Sequence, residues 1–199
     1  MDRADLNEIK KMLQKSLNAL RYEHTLGVSY TAACLAMRYG ADPFQAELAG
    51  LLHDCAKEFK DREIPDACRK NGFPLAEEEK KTPQVLHAIY GPFLARTKYG
   101  VNDPEVLDAI RWHTTGKDNM TLLEKIVFTA DYIEPNRWKS EDLPVIRTLA
   151  FKDLTECVYR ITKDTLTYLE QKQYTIDRMT KTCCEWLEEN GIHDNNGNG

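Results

Sequence analysis

The chain has 199 residues, 42% hydrophobic and 30% charged, with a formal net charge of −5. That length suits one domain with a full core, and the composition is that of an ordinary soluble globular protein. The acidic balance argues against a general nucleic-acid or membrane-surface binder, which needs a basic face, and no apolar run approaches the roughly 18 residues of a membrane span.

Alternating β-branched runs between turn residues are essentially absent, and the chain reads as helix after helix, which predicts an all-α fold. Leu6, Ile9, Leu13 and Leu17 recur at helical spacing and set a first amphipathic helix over residues 5–16. A second spans 22–39, with His24, Val28, Ala32, Leu35 and Ala36 along one face and Gly40 at its end. Pro43 starts a third, which is expected to carry His53 and Asp54. A short, Pro-kinked helix over 61–71 closes at Gly72, and 74–81 reads as a charged loop. Thr82-Pro83 is an N-cap with a first-turn proline, opening a helix to about Tyr99 that contains His87. Asp103-Pro104 repeats the device for a helix ending in Trp112-His113, which Thr114-Thr115-Gly116 stops. Thr121 and Glu124 form a capping-box pattern for the helix that carries Asp131 and ends at Pro135. One long helix is predicted over 143–171 and a last one over 177–189. No repeat or linker divides the chain, so residues 1–190 are expected to form a single domain, followed by a disordered Asn/Gly-rich tail at 191–199.

Cys34, Cys55, Cys68, Cys157, Cys183 and Cys184 show no Cys-x-x-Cys pair and no regular spacing, and adjacent cysteines such as Cys183 and Cys184 rarely bridge. With a highly charged segment at residues 1–15 in place of a secretory signal, reduced thiols in a cytoplasmic protein are expected.

The chemistry concentrates at Leu51-Leu52-His53-Asp54-Cys55-Ala56-Lys57, inside an otherwise apolar run from Ala46 to Ala56. An ionised aspartate in such surroundings is costly unless a cation compensates it, and a bound metal is the usual one. On a helix, Lys57 would fall at i+4 from His53 and i+3 from Asp54, so the three would share one edge. Of the five histidines, four (His24, His53, His87, His113) each belong to a different predicted helix, while His193 lies in the tail. Any one of them alone is more often a hydrogen-bonded core residue than a ligand. Together with Asp54 and Asp131, which interrupts the apolar run Ile126 to Ile133, they can build a dinuclear metal site between the helices of a bundle. Such mixed nitrogen and oxygen ligation suits Fe, Mn, Co or Zn.

His24, then His53-Asp54, then a distant Asp131 resembles the H…HD…D signature of the HD-domain phosphohydrolases. The stretches from Arg21 to Val28, Leu51 to Lys57, Arg111 to Gly116 and Ala130 to Arg137 are similar to those of the YqeK group, bacterial symmetrical diadenosine-tetraphosphate hydrolases. The resemblance implies an HD-type helical bundle, with one ion on His24, His53, Asp54 and Asp131, and a second on His87, His113 and the other oxygen of a bridging Asp54. It also implies iron as the ion, a homodimer, and cleavage of the substrate to two ADP by a metal-bridging hydroxide.

Two divalent ions, less Asp54, Asp131 and a hydroxide, would leave about one positive charge, a local anion trap in an acidic protein. Lys57 could neutralise a phosphoryl oxygen beside Asp54, or be a solvated helix-end lysine. Thr114, Thr115 and Gly116 could donate to phosphate or sugar, or simply end a helix. Arg137 could clamp a distal phosphate or be an ordinary surface arginine, Arg62 has the same two readings, and Tyr174 with Ile176 could form an adenine wall. Trp112, Trp138 and Trp186 read as core or interface rather than base platforms. Two further functions stay open: the same site acting on a nucleoside monophosphate or cyclic dinucleotide, and a metal-binding nucleotide sensor without turnover.

Overall fold

The computed structural model describes residues 3–138 and 141–190, and all regular structure among them is helical. The predicted tail at 191–199 lies outside the described residues. Ten α-helices follow in order: α1 (Arg3–Ser16), α2 (Ala19–Tyr39), α3 (Pro43–Leu52), α4 (Ile64–Lys70), α5 (Leu86–Thr97), α6 (Pro104–Trp112), α7 (Leu122–Ile133), α8 (Leu143–Ala150), α9 (Leu154–Gln171) and α10 (Arg178–Asn190). One buried apolar cluster runs from Leu6 of α1 to Leu187 of α10.

Helix α2 is the axis. It lies along α3 and α7, while α6 bridges α5, α3 and α7, and α9 backs onto α7, α8 and α10. The α2–α3 approach is set by Gly50, where a Cβ would come within 2.9 Å of the Ser29 Cα. Any side chain there would separate the two helices that carry His24 and lead into His53.

The structure corrects four boundaries. Helix α3 stops at Leu52; His53 is its C-cap and Asp54 leaves helical geometry (φ −105°, ψ 19°) before a 3₁₀ turn, Cys55–Glu58. His53, Asp54 and Lys57 therefore do not share a helical edge. Residues 61–71 split into a 3₁₀ turn and α4, with Pro65 in the first turn of α4, where a missing N–H costs nothing, so no kink results. Thr82 does not cap: its hydroxyl donates to Asp177 Oδ2 (3.1 Å), and Pro83–Val85 is a 3₁₀ turn ahead of α5. The long helix over 143–171 is two, because Asp153 accepts the Glu156 N–H (2.9 Å) and starts α9 afresh after Phe151-Lys152. The caps at Asp103 and Thr121-Glu124 form as their sequences indicate, and Asp42 caps α3 ahead of Pro43.

Candidate metal centre

Six side chains from five segments meet beside the first turns of α2. His24 stands on α2, His53 and Asp54 just beyond α3, His87 in the first turn of α5, His113 at the C-cap of α6, and Asp131 two residues before the end of α7. All are buried except Asp131, which is partly open. The imidazoles form a chain, His24–His53–His113–His87, with ring centroids 5.2, 4.9 and 5.2 Å apart.

Asp54 sits inside that chain, and its two oxygens face different neighbours. Oδ2 lies 3.4 Å from His53 Nε2, 3.9 Å from His24 Nε2 and 2.6 Å from Arg21 Nη1. Oδ1 lies 3.4 Å from His87 Nε2 and 3.7 Å from His113 Nε2. Asp131 Oδ1 joins the first face, 3.0 Å from His24 Nε2 and 3.7 Å from His53 Nε2.

The backbone and one buried acid decide which ring nitrogen points inward. His53 Nδ1 is 2.7 Å from the Gly50 carbonyl and His113 Nδ1 is 2.8 Å from the Ile110 carbonyl. A carbonyl only accepts, so both Nδ1 atoms carry the proton and both Nε2 lone pairs face the centre. His24 Nδ1 is 3.1 Å from Oε1 of Glu134, a buried carboxylate that does the same. Glu134 fits there because residue 27 is glycine: a Cβ on Gly27 would stand 2.3 Å from Glu134 Oε2. His87 Nδ1 is buried and has no hydrogen-bond partner among the described residues.

Burial would raise the Asp54 and Asp131 pKa values. The imidazoles outweigh it, His53 foremost for Asp54 and the His24 hydrogen bond for Asp131, and both carboxyls are held well below their usual range. Burial also pushes His24 down, but its bonds to Asp131 and Glu134 leave its pKa raised. For His87 burial dominates and drives the pKa to about 3, so this ring is neutral at physiological pH.

This donor set fits transition-metal ions. Ligand atoms of His24, His53 and Asp131 lie within 4.8 Å of one another, as do those of His53, Asp54 and His113. Arg21 pairs with Asp54 Oδ2 and Arg137 with Asp131, which leaves Asp54 Oδ1, buried between the Nε2 atoms of His87 and His113, as the carboxylate oxygen a cation would compensate. Thr114 Oγ1 lies 3.1 Å from His87 Nε2 and 2.9 Å from His113 Nε2, so the two Nε2 atoms converge on one point. A hydroxyl has one proton and can donate to only one of them.

Of the other residues singled out by sequence, Thr114 and Arg137 reach the cluster. Arg137 donates from Nη2 to Asp131 Oδ1 (2.8 Å) and from Nε to the Asp131 carbonyl (3.0 Å). Lys57 pairs with Asp61 Oδ1 (3.0 Å), while its charge still bears on His87. Thr115 is turned away, its hydroxyl donating to the Gly116 carbonyl (2.9 Å). Gly116 serves the turn (φ 63°) against Cys183. Arg62 is exposed in the turn after Lys60, and Tyr174 sets its ring edge against Tyr168 (6.5 Å). Ile176 lines a different cavity, with Arg111 and Trp112. Sequence reasoning missed Arg21 and Glu134. Arg21 could have been found, since it lies three residues before His24 and so shares its helical face; a buried Glu134 carries no such periodic signal.

The HD-domain family model matches residues 21–136. A protein of Bacillus subtilis named "Bis(5'-nucleosyl)-tetraphosphatase, symmetrical" is 38% identical over 175 residues, covering 88% of this chain and 93% of the relative. A protein of the same name from Halalkalibacterium halodurans is 41% identical, covering 83% and 88%. A Clostridium acetobutylicum crystal structure, described as a "predicted HD superfamily hydrolase involved in NAD metabolism", superposes with a TM-score of 0.87 at 36% identity, covering 92% of this chain and 97% of that one.

Proposed function

This chain belongs to the HD-domain family, and on that premise we propose that it hydrolyses diadenosine tetraphosphate symmetrically to two ADP. The relatives named as symmetrical tetraphosphatases support the substrate; the two-faced carboxylate of Asp54 supports the chemistry. His24, His53, Asp131 and Asp54 Oδ2 would hold one divalent ion, and His87, His113 and Asp54 Oδ1 a second. Iron is the ion we propose, and manganese, cobalt and zinc suit the same donors. When bound, such ions lower the pKa of a water toward neutrality and steady charge on a phosphoryl group.

The chain's own residues do the rest. Asp54 and Asp131 stay ionised at neutral pH because the imidazoles around them favour the anion. Glu134, Gly50 and Ile110 fix three imidazoles with Nε2 inward. Arg21 and Arg137, each now paired with a carboxylate of the cluster, are the guanidinium forks nearest the centre and would exchange that partner for phosphate oxygens. Lys57 is a neighbouring point charge on the His87 side. The reaction adds one water across the central phosphoanhydride. A new P–O bond forms at one middle phosphorus, its bond to the bridging oxygen breaks, and ADP leaves.

We further propose a cytoplasmic homodimer; among the described residues no helix is long and apolar enough to cross a membrane. The deciding experiment is product analysis of the metal-loaded protein with diadenosine tetraphosphate. ADP alone is expected; ATP plus AMP, or no turnover with any of the four metals, overturns the reading.

A further inference from the structure

Arg147 of α8 directs its guanidinium at backbone carbonyls of the segment that follows α7. Nε donates to the Ile133 carbonyl (2.9 Å), and Nη2 to those of Glu134 (2.8 Å) and Arg137 (2.9 Å), with Pro135 at 3.4 Å. We propose that Arg147 is a positioning residue of the candidate metal centre, which sets the His24 ring through Glu134. The proposal rests on the metal-centre reading above.

Residues 134–137 form a turn, closed by the Arg137 N–H on the Glu134 carbonyl (3.0 Å). Helix α7 has already ended at Ile133, so the carbonyls of its last residues have no helical partner. Arg147 supplies donors to that helix end and to the turn from one rigid planar group. The side chains of the same turn work on the centre. Glu134 Oε1 meets His24 Nδ1 (3.1 Å), and Arg137 returns to Asp131 through Nη2 (2.8 Å) and Nε (3.0 Å). Backbone thus goes to α8 and side chains to the ligands.

Glu134 has little freedom to reach His24 by another path. It is buried, and its Oε2 accepts the Asn136 N–H (2.7 Å), which ties the carboxylate to the backbone of its own turn. Gly27 also lies so close that a Cβ there would stand 2.3 Å from Oε2. A shift of the turn is therefore passed on to the carboxylate instead of being absorbed by it. The carboxylate in turn decides which nitrogen of His24 carries the proton, and so whether the Nε2 lone pair faces Asp131 and His53. A lysine at 147 would keep positive charge at the end of α7 but offer one ammonium in place of the fork, which separates charge from geometry.

The test is Arg147→Lys in the full chain, in two backgrounds. With His87→Ala, the remaining ion sits on the His24 face, and Arg147→Lys should weaken it about 10-fold in chelator competition read by elemental analysis. With His24→Ala, the ion on the His87 side should be held as before. Adding Glu134→Gln to the first background should remove most of the effect, because Arg147 then has no carboxylate to place. In the metal-free chain, imidazole NMR at a pH where His24 is neutral should show its proton on Nδ1. Arg147→Lys should give a mixture of tautomers at His24 and leave His53 and His113 unchanged. Arg147→Gln, which keeps one donor amide, takes its place if the lysine variant does not fold. An ion on the His24 face held within threefold of the Arg147 parent overturns the proposal. Equal loss on both faces overturns it too, as the mark of a generally loosened fold, and so does full additivity with Glu134→Gln. If the chain binds no metal or cleaves no diadenosine tetraphosphate, the function proposed above fails instead, and the His24 tautomer still decides the role of Arg147.

Discussion

Replacing Glu134 by glutamine tests how the centre holds His24. Glu134 is 1% exposed and uses both oxygens: Oε1 faces His24 Nδ1 at 3.1 Å, and Oε2 accepts the Asn136 N–H at 2.7 Å. Glutamine has one acceptor and cannot serve both. If its carbonyl keeps Asn136, its NH₂ faces Nδ1 and drives the imidazole proton to Nε2, the atom that looks at Asp131 and His53. If it keeps His24, two donors meet at Asn136, which costs about 1–3 kcal/mol of stability. Either way the affinity for the ion on the His24 face should fall by about 10–100-fold, or roughly 1.4–2.7 kcal/mol. Competition against a chelator, read by elemental analysis alongside ADP release, measures it. Gly27→Ala should give the same loss without touching a charge, because its Cβ lands 2.3 Å from Glu134 Oε2. An alanine inside a helix otherwise gains about 0.5–1 kcal/mol over glycine, so a variant no less helical but poorer in metal would isolate the effect. Metal affinity and turnover within threefold of wild type in both variants would refute the reasoning.

His87 has no acceptor for Nδ1 among the described residues, so its side of Asp54 should hold its ion less firmly: limiting chelator is expected to remove one equivalent before the other. His87→Ala should lose one metal equivalent and most ADP production while keeping the other, and full occupancy and rate would contradict the two-ion arrangement. Arg147 donates to the carbonyls of Ile133, Glu134 and Arg137 at 2.8–2.9 Å, satisfying the open end of α7. Arg147→Ala should cost about 2–3 kcal/mol and lower the melting temperature by roughly 4–12 °C, read by calorimetry on the metal-free chain. In that metal-free chain the His87 pKa of about 3 lies below its unfolded value of 6.5. Below pH 6.5 the unfolded state takes a proton that the folded state refuses, so stability falls as pH drops toward 3, by about 1.4 kcal/mol per pH unit from this group. His24, with its pKa raised, has the opposite sign: its contribution is complete below 6.5 and is lost as pH rises. Asp54 and Asp131, with pKa values depressed, lose theirs only at lower pH, as it falls from their unfolded range toward their folded values. Denaturation between pH 4.5 and 6 should therefore show a slope that His87→Ala flattens.

The parts of the fold that local chemistry decides were legible in the sequence. Caps at Asp103 and Thr121 are formed by one side chain and the N–H groups within three residues of it, so the sequence states them in full. The break at Phe151-Lys152 was not legible as such, since a continuous apolar period masks a cap that acts through Asp153. The same division runs through the site. Four imidazoles and two acids spread over five segments stood out as candidate ligands because an acid is costly to bury in an apolar run without a cation. What orients them was not. Gly50 and Ile110 contribute only carbonyl oxygens, which every residue has, and Glu134 acts across 110 positions of sequence.

The His-Asp stretch shows why that loss matters for the chemistry. Read as continuous helix, it would point His53 and Asp54 about 100° apart and send Lys57 along the same edge. The chain instead leaves helical geometry at Asp54, and that one step turns the carboxylate into the middle of the imidazole chain, with one oxygen on each side. A helical Asp54 would be confined to one face of α3. The two-ion arrangement proposed above thus depends on where α3 ends, and α3 ends with the His53 ring bonded back to the Gly50 carbonyl. The glycine that brings α2 and α3 together therefore also lies within the turn that aims His53.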